Sequence, residues 1–371
     1  MKASFATPTV RAAVRPTPAN TLHAARIAVA GMGFVTPLGH TLAAFDEALF
    51  NGRSAVRAQK LKIGAFDEMT LAIAACDFDD TSARSTSRLP LDRGTAMAIA
   101  AAKDAWAQSG IGEADGADEA DSDFTLDGER LGVYWGSGMA GSATFDNTAR
   151  GLYSESKRVR PTTVLTTMPN AAAAEIALLF GARGASLTYA CACASSAVAI
   201  GEAMRAIRGG WIDVAIVGGH ESMLTPATLA SWHSMRVTAS PPEGAPETAC
   251  RPFSADRTGF ALGEGAAALV IESEAHARAR GASHSMTLSG YATNCDSVHM
   301  TNPDPGGQGR AMRALERQSL PPNANLETPD PAFAIDLVRG SARAAPGLRH
   351  AMSNSFAFGG TNAVLIVSHA D

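Results

Sequence analysis

The stretch from Ala185 to Glu221 constrains the fold of this 371-residue chain more than any other. A short, mostly apolar run ends at Tyr189-Ala190, and from Ser196 the apolar positions Val198, Ile200, Met204 and Ile207 fall at helical spacing until Gly209-Gly210 stops them. Asp213 to Glu221 then runs apolar into glycines, a pattern that suits a strand buried on both faces. Strand, helix, parallel strand is the predicted unit, so the chain reads as an α/β protein. Cys193 lies at the turn between the first strand and the helix. A helix N-terminus carries partial positive charge, and with no acid nearby it favours thiolate over thiol. The plainer alternative for a cysteine at such a turn is a small buried packing residue.

Further segments share this organisation. Arg251 to Gly265 leads into an apolar strand, Ala266 to Ile271, and Asn354-Ser355-Phe356-Ala357-Phe358-Gly359-Gly360-Thr361-Asn362 forms a glycine-rich turn between two strands. Val29 to Gly39 reads as an opening strand and loop, Leu91-Asp92-Arg93 begins a helix, and Val164 to Gly181 precedes the cysteine strand. In this order, from about Arg26 to Val367, the segments resemble the β-ketoacyl-acyl carrier protein synthases, the condensing enzymes of fatty acid and polyketide assembly. The resemblance implies a thiolase-like layered αβαβα fold of two pseudo-equivalent halves, residues 26–250 and 251–371, after a disordered tail over 1–25.

The resemblance also implies roles. Cys193 matches the acyl-accepting cysteine, because Ala199-Ile200-Gly201 follows it at the family's spacing, while Cys191 reads as a packing residue. Phe358 matches both the second oxyanion-hole amide and the gating ring over the acyl pocket, with Ala357 where the family usually has glycine. Thr301 and His299 match the second gating loop, and Gly359 and Gly360 are assigned to substrate binding with them. The substrates implied are acyl and malonyl thioesters. The phosphopantetheine arm arrives on the acyl carrier protein, so no cofactor or metal is expected. Arg236, Arg84 and Arg88 are candidates for docking that acidic carrier. A homodimer, or a heterodimer with a related synthase, is expected.

One part of the family pattern is missing. None of the nine histidines is followed by Gly-Thr or preceded by Gly, so the family's two catalytic histidines and their lysine have no counterpart. Gln308 to Gln318 resembles the helix before the first of them, and Leu320 to Glu327 the loop after the second. Two strand-helix units, roughly 30–40 residues each, are therefore absent between Gln318 and Leu320. The sequence predicts a second half with an exposed sheet edge, and acylation of Cys193 without efficient decarboxylative condensation. The rival expectations are a noncatalytic partner subunit resembling a chain-length factor, and a nonfunctional remnant.

Composition narrows the remaining classes. With 46% hydrophobic residues the chain can bury a large core. Its net charge of −5 and lack of a basic, aromatic-interleaved stripe argue against nucleic-acid binding. No stretch is long and apolar enough to span a membrane. Five cysteines without paired spacing point to reduced thiols and a cytoplasmic setting. Residues 1–25 carry Lys2, Arg11 and Arg15 with no acid, as a transit peptide would, but Pro8, Pro16 and Pro18 favour an irregular tail.

Overall fold

The computed structural model describes residues 26–62, 68–80, 85, 86, 89–112, 126–313, 325–333, 335–341, 343, 345 and 347–370. Expectations for the 1–25 tail, Arg84, Arg88 and the junction between Gln318 and Leu320 lie outside these residues. The strands are β1 (Ile27–Val35), β2 (Arg57–Leu61), β3 (Met69–Ala74), β4 (Leu131–Gly136), β5 (Ser186–Tyr189), β6 (Val214–Glu221), β7 (Leu262–Gly263), β8 (Gly265–Ser273), β9 (Met286–Cys295), β10 (His350–Phe356) and β11 (Thr361–His369). The helices are α1 (Leu42–Phe50), α2 (Arg93–Ser109), α3 (Ser142–Glu155), α4 (Thr163–Thr167), α5 (Ala171–Phe180), α6 (Ser195–Arg208), α7 (Pro226–Ser234), α8 (Glu274–Ala279) and α9 (Pro305–Arg313).

Eight strands form one sheet in the order β10-β11-β9-β1-β8-β6-β4-β5, while β2, β3 and β7 form a small separate one. The order carries an internal symmetry. β8 lies antiparallel between β1 and β6, and β11 lies antiparallel between β9 and β10. The two triplets meet where β1 and β9 pair at Ile27↔Leu288 and Ala28↔Thr287. Beyond β6 come two parallel strands, β4 and β5. Beyond β10 no strand is present among the described residues. β8 completes the first triplet, which extends in sequence to Ser273. A boundary in sequence does not reveal which strand returns to pair with the first.

Helix α2 packs on one face of β1 and β8, and the glycines of β1 explain how. A Cβ on Gly31 or Gly33 would lie less than 3 Å from α2 backbone, at Ala105 and Ala101 respectively, so only glycine admits so close a helix. Asp92 starts α2 by accepting the Gly94 N–H at 3.0 Å, and its other oxygen accepts the Thr144 N–H and Oγ1, tying α3 to that helix start. Helix α6 is buried between the two halves. Its Ala197, Val198, Ala203, Met204 and Ile207 share one apolar cluster with Ile27 and Val217 of the first half and Leu288, Ala363 and Leu365 of the second. Burying Met204 and Ile207 contributes about 1.5–3 kcal/mol each. Tyr291 of β9 covers Gly201, and its hydroxyl donates to Glu202 at 3.1 Å. Helix α2 thus packs on β1 and β8, α6 lies against β4 and β6 as well as β9 and β11, and α9 packs against β9 and β11.

Candidate functional site

Between β5 and α6 the chain makes one tight turn, Ala192–Ala194. Ala192 has φ of 46°, in the left-handed region that a Cβ disfavours, and the following helix holds it there. Ser195 Oγ donates to the Ala192 carbonyl at 2.7 Å and accepts the Cys191 N–H at 2.8 Å. This clamp leaves Cys193 exposed, Cys191 half-buried and Ala194 fully buried. Burial pushes the Cys191 thiol up, in keeping with a packing residue.

Two neighbours support the turn. Gly136, at the end of β4, lies against the Ser195–Ser196 backbone with no room for a Cβ. Glu221, at the end of β6, accepts from Gly138 N at 2.8 Å, Met139 N at 3.1 Å and Ser137 Oγ at 3.2 Å, and so holds the loop after β4 beside Ala192. Burial raises the Glu221 carboxyl while those three donors oppose the rise.

Over Cys193 lies a cavity of about 890 Å3, lined also by Met139, Met223, Trp232, Phe260 and Phe358. Phe358 and Gly360 reach it from the β10–β11 turn, whereas Gly359 lies outside the lining. Gly359 and Gly360 take φ of 88° and 81°, so the turn needs glycine at both. Gly359 N donates to the Met300 carbonyl at 2.7 Å, joining this turn to the 296–304 loop. Ala357 has no left-handed φ, so alanine sits there without strain. The N–H groups of Cys193 and Phe358 have no hydrogen-bond partner among the described residues.

His299 and Thr301 both line the cavity. His299 Nδ1 accepts the N–H groups of Thr301 and Asn302, each at 3.1 Å, so the neutral ring carries its proton on Nε2. Asp296 anchors the same loop by accepting from Asp304 N at 3.0 Å and Asn362 Nδ2 at 2.6 Å. Arg236 is exposed just past α7 and does not line the cavity. No group of three or more His, Cys, Asp or Glu among the described residues is placed to hold a metal.

His220 is only half satisfied among the described residues. Its Nδ1 accepts from Trp135 Nε1 at 2.8 Å, but Nε2 is buried without a partner among the described residues. Burial lowers its pKa from 6.5 to about 4. Below pH 6.5 the unfolded chain therefore gains a proton that the folded one refuses, and stability falls until the pH passes about 4. The expected loss across that window is on the order of 3 kcal/mol. Denaturant titrations at pH 7 and pH 4 should show a smaller difference for His220→Gln than for the parent.

Sequence reasoning missed Trp232, Phe260 and Glu221. A tryptophan in a short helix directly after a buried strand was the available signal for the first.

The model of the β-ketoacyl synthase N-terminal domain matches residues 24–277. The chain belongs to the β-ketoacyl synthase family. Within it, the chain is 33% identical over 298 residues to a Staphylococcus aureus protein named 3-oxoacyl-[acyl-carrier-protein] synthase 2, covering 78% of this chain and 68% of that one. It is 30% identical to the putative polyketide beta-ketoacyl synthase 1 of Streptomyces cyaneus, covering 92% and 98%. That alignment runs over 429 positions, so the Streptomyces protein carries residues with no counterpart in these 371. Among solved structures, a β-ketoacyl synthase from Burkholderia phymatum STM815 superposes with a TM-score of 0.79 at 27% identity, covering 94% of this chain and 100% of that one. The ishigamide ketosynthase/chain length factor shares the fold, with a TM-score of 0.78 at 23% identity over 94% and 100%. No helix among the described residues is long and apolar enough to cross a membrane.

Proposed function

We propose that this chain is a cytoplasmic acyltransferase of the 3-oxoacyl-acyl carrier protein synthase type, in which Cys193 takes an acyl group from a carrier-protein thioester. The observation that carries this reading is the exposed Cys193 at an apolar cavity lined also by Phe358, with the N–H groups of both residues unpartnered among the described residues. The Cys193 thiolate attacks the thioester carbonyl, and the two amides receive the developing oxyanion. The tetrahedral species collapses with cleavage of the old C–S bond, and the phosphopantetheine thiol of the carrier departs with a proton. Thr301, His299, Gly359 and Gly360 shape the approach of that arm. Arg236, exposed and cationic, is the described candidate for meeting the acidic carrier.

Condensation with malonyl carrier protein requires groups that bind the enolate formed as carbon dioxide leaves. The histidines lining the cavity among the described residues are His220 and His299, and both have an Nδ1 engaged by the protein. Acylation is therefore expected to proceed while condensation is slowed by about 10²–10⁴-fold, the usual worth of general acid-base groups. Intact-mass measurement after incubation with acyl carrier protein, together with carbon dioxide release from malonyl carrier protein, tests both halves. Absence of a Cys193 adduct would refute the acyltransferase reading. Release matching that of an intact relative would refute the impairment. The slow second step also favours a second reading, a partner subunit for an active synthase, which retention of Cys193 opposes.

The surface around β5 supports dimerisation. Leu187 of β5, the last strand of the sheet among the described residues, Leu178 of α5, which packs on β5, Val164 and Leu165 of α4, which packs on α5, and Phe145 of α3, which packs on α4, are all exposed apolar side chains. A second copy, or a related synthase subunit, would cover them. Leu165→Asp with Leu187→Lys is expected to shift the protein to monomer in light scattering, and an unchanged mass would place the interface elsewhere.

A further inference from the structure

Phe358 is held by more than its own turn. Its ring stacks on Trp232 at 5.9 Å between centroids and 24° between planes, and Phe260 meets Trp232 edge-on at 5.6 Å and 77°. The three rings come from three separate elements: α7, the loop before β7, and the β10–β11 turn. All three line the cavity with Cys193. The backbone bonds of the turn fix Ala357, Gly359 and Gly360 but give the Phe358 N–H no partner among the described residues. Between two glycines in the left-handed region and an alanine, the side chain of Phe358 is the anchor of its peptide, and Trp232 is what it is anchored to.

We propose that Trp232 is the positioning residue that latches Phe358 over the cavity and thereby sets the size of acyl group Cys193 accepts. With the stack closed, the Phe358 amide stays in place for the oxyanion and the cavity takes short acyl chains. A long chain needs the volume the Phe358 ring fills, so it enters only after the ring leaves Trp232. The same contact therefore favours one substrate class and opposes the other. An aromatic pair of this kind is worth about two- to tenfold in either direction.

This inference rests on acyl transfer to Cys193, and the experiment separates the two. Rate constants for Cys193 acylation by butyryl and tetradecanoyl thioesters of coenzyme A are measured by intact mass spectrometry for the parent, Trp232→Ala and Trp232→Phe. Trp232→Ala is expected to slow the short chain and speed the long one, each by about two- to tenfold, with Trp232→Phe between it and the parent. Trp232 also packs beside Leu229 and Leu262, so a purely structural role would lower both rates together along with the melting temperature, and that result overturns the proposal. If Trp232→Ala does not fold, Trp232→Phe carries the test: an unchanged ratio of long- to short-chain rates overturns the proposal, and a raised ratio supports it. Absence of acylation in the parent overturns the acyltransferase reading instead.

Discussion

Cys193→Ala is expected to abolish covalent loading, leaving no mass increase after incubation with an acyl thioester at any concentration that saturates the parent. The structure supplies its own control two residues away. Cys191 lies on the same turn, but it is half-buried, its thiol is pushed up by burial, and it packs into the cluster around α6. A thiol held protonated and turned inward is a poor nucleophile, so it does not replace its neighbour. Cys295 is exposed at the end of β9 but lies outside the cavity lining. Peptide mapping of the variant decides the matter: an adduct on Cys191 or Cys295 would show that exposure and the surrounding cavity do not select Cys193.

The second large effect concerns backbone rather than chemistry. Gly136→Ala would place a methyl group less than 3 Å from the Ser195 carbonyl carbon and the Ser196 nitrogen. No rotamer relieves an overlap between Cβ and backbone, so either β4 leaves its place between β5 and β6 or the first turn of α6 lifts off the sheet. The expected cost is about 3 kcal/mol, at the upper end for overpacked sites. Displacement of α6 also moves the Ala192–Ala194 turn, so acylation falls even in the fraction that remains folded. Gly347→Ala is the matched control, because nothing lies within 4 Å of its added Cβ. Equal denaturation midpoints for the two variants would show that α6 yields at no cost.

Local pattern was enough for the elements around Cys193. The period-3.6 run after Ser196, the apolar run of β6 and the glycine turn after Phe356 all became the expected elements, and Asp92 became the cap of α2. What the sequence left unread were meetings between distant segments. Trp232 and Phe358 lie far apart in the chain, and no periodicity in α7 or the β10–β11 turn records that their rings stack. The placement of β8 between β1 and β6 escaped for the same reason, since an apolar run signals burial without naming its partner strands. Ala192 had no signal at all: its left-handed φ is imposed by the clamp from Ser195 and by the start of α6, where a sequence reading would ask for glycine.

The position of β1 in the sheet has a consequence for how the protein is made. Ile27 pairs with Ser273 and Val35 with Ala266, so β1 cannot be joined by β8 until the 230 residues between Val35 and Ala266 have been translated. At a synthesis rate of about 5–20 residues per second, β1 waits roughly 10–50 s for that partner. Helix α2 and, later, α6 can cover its faces during the wait, but its edges stay unpaired until β8 and then β9 emerge. The nascent chain thus carries an apolar strand with open edges throughout that interval, and those edges are free to pair with other nascent chains until β8 arrives.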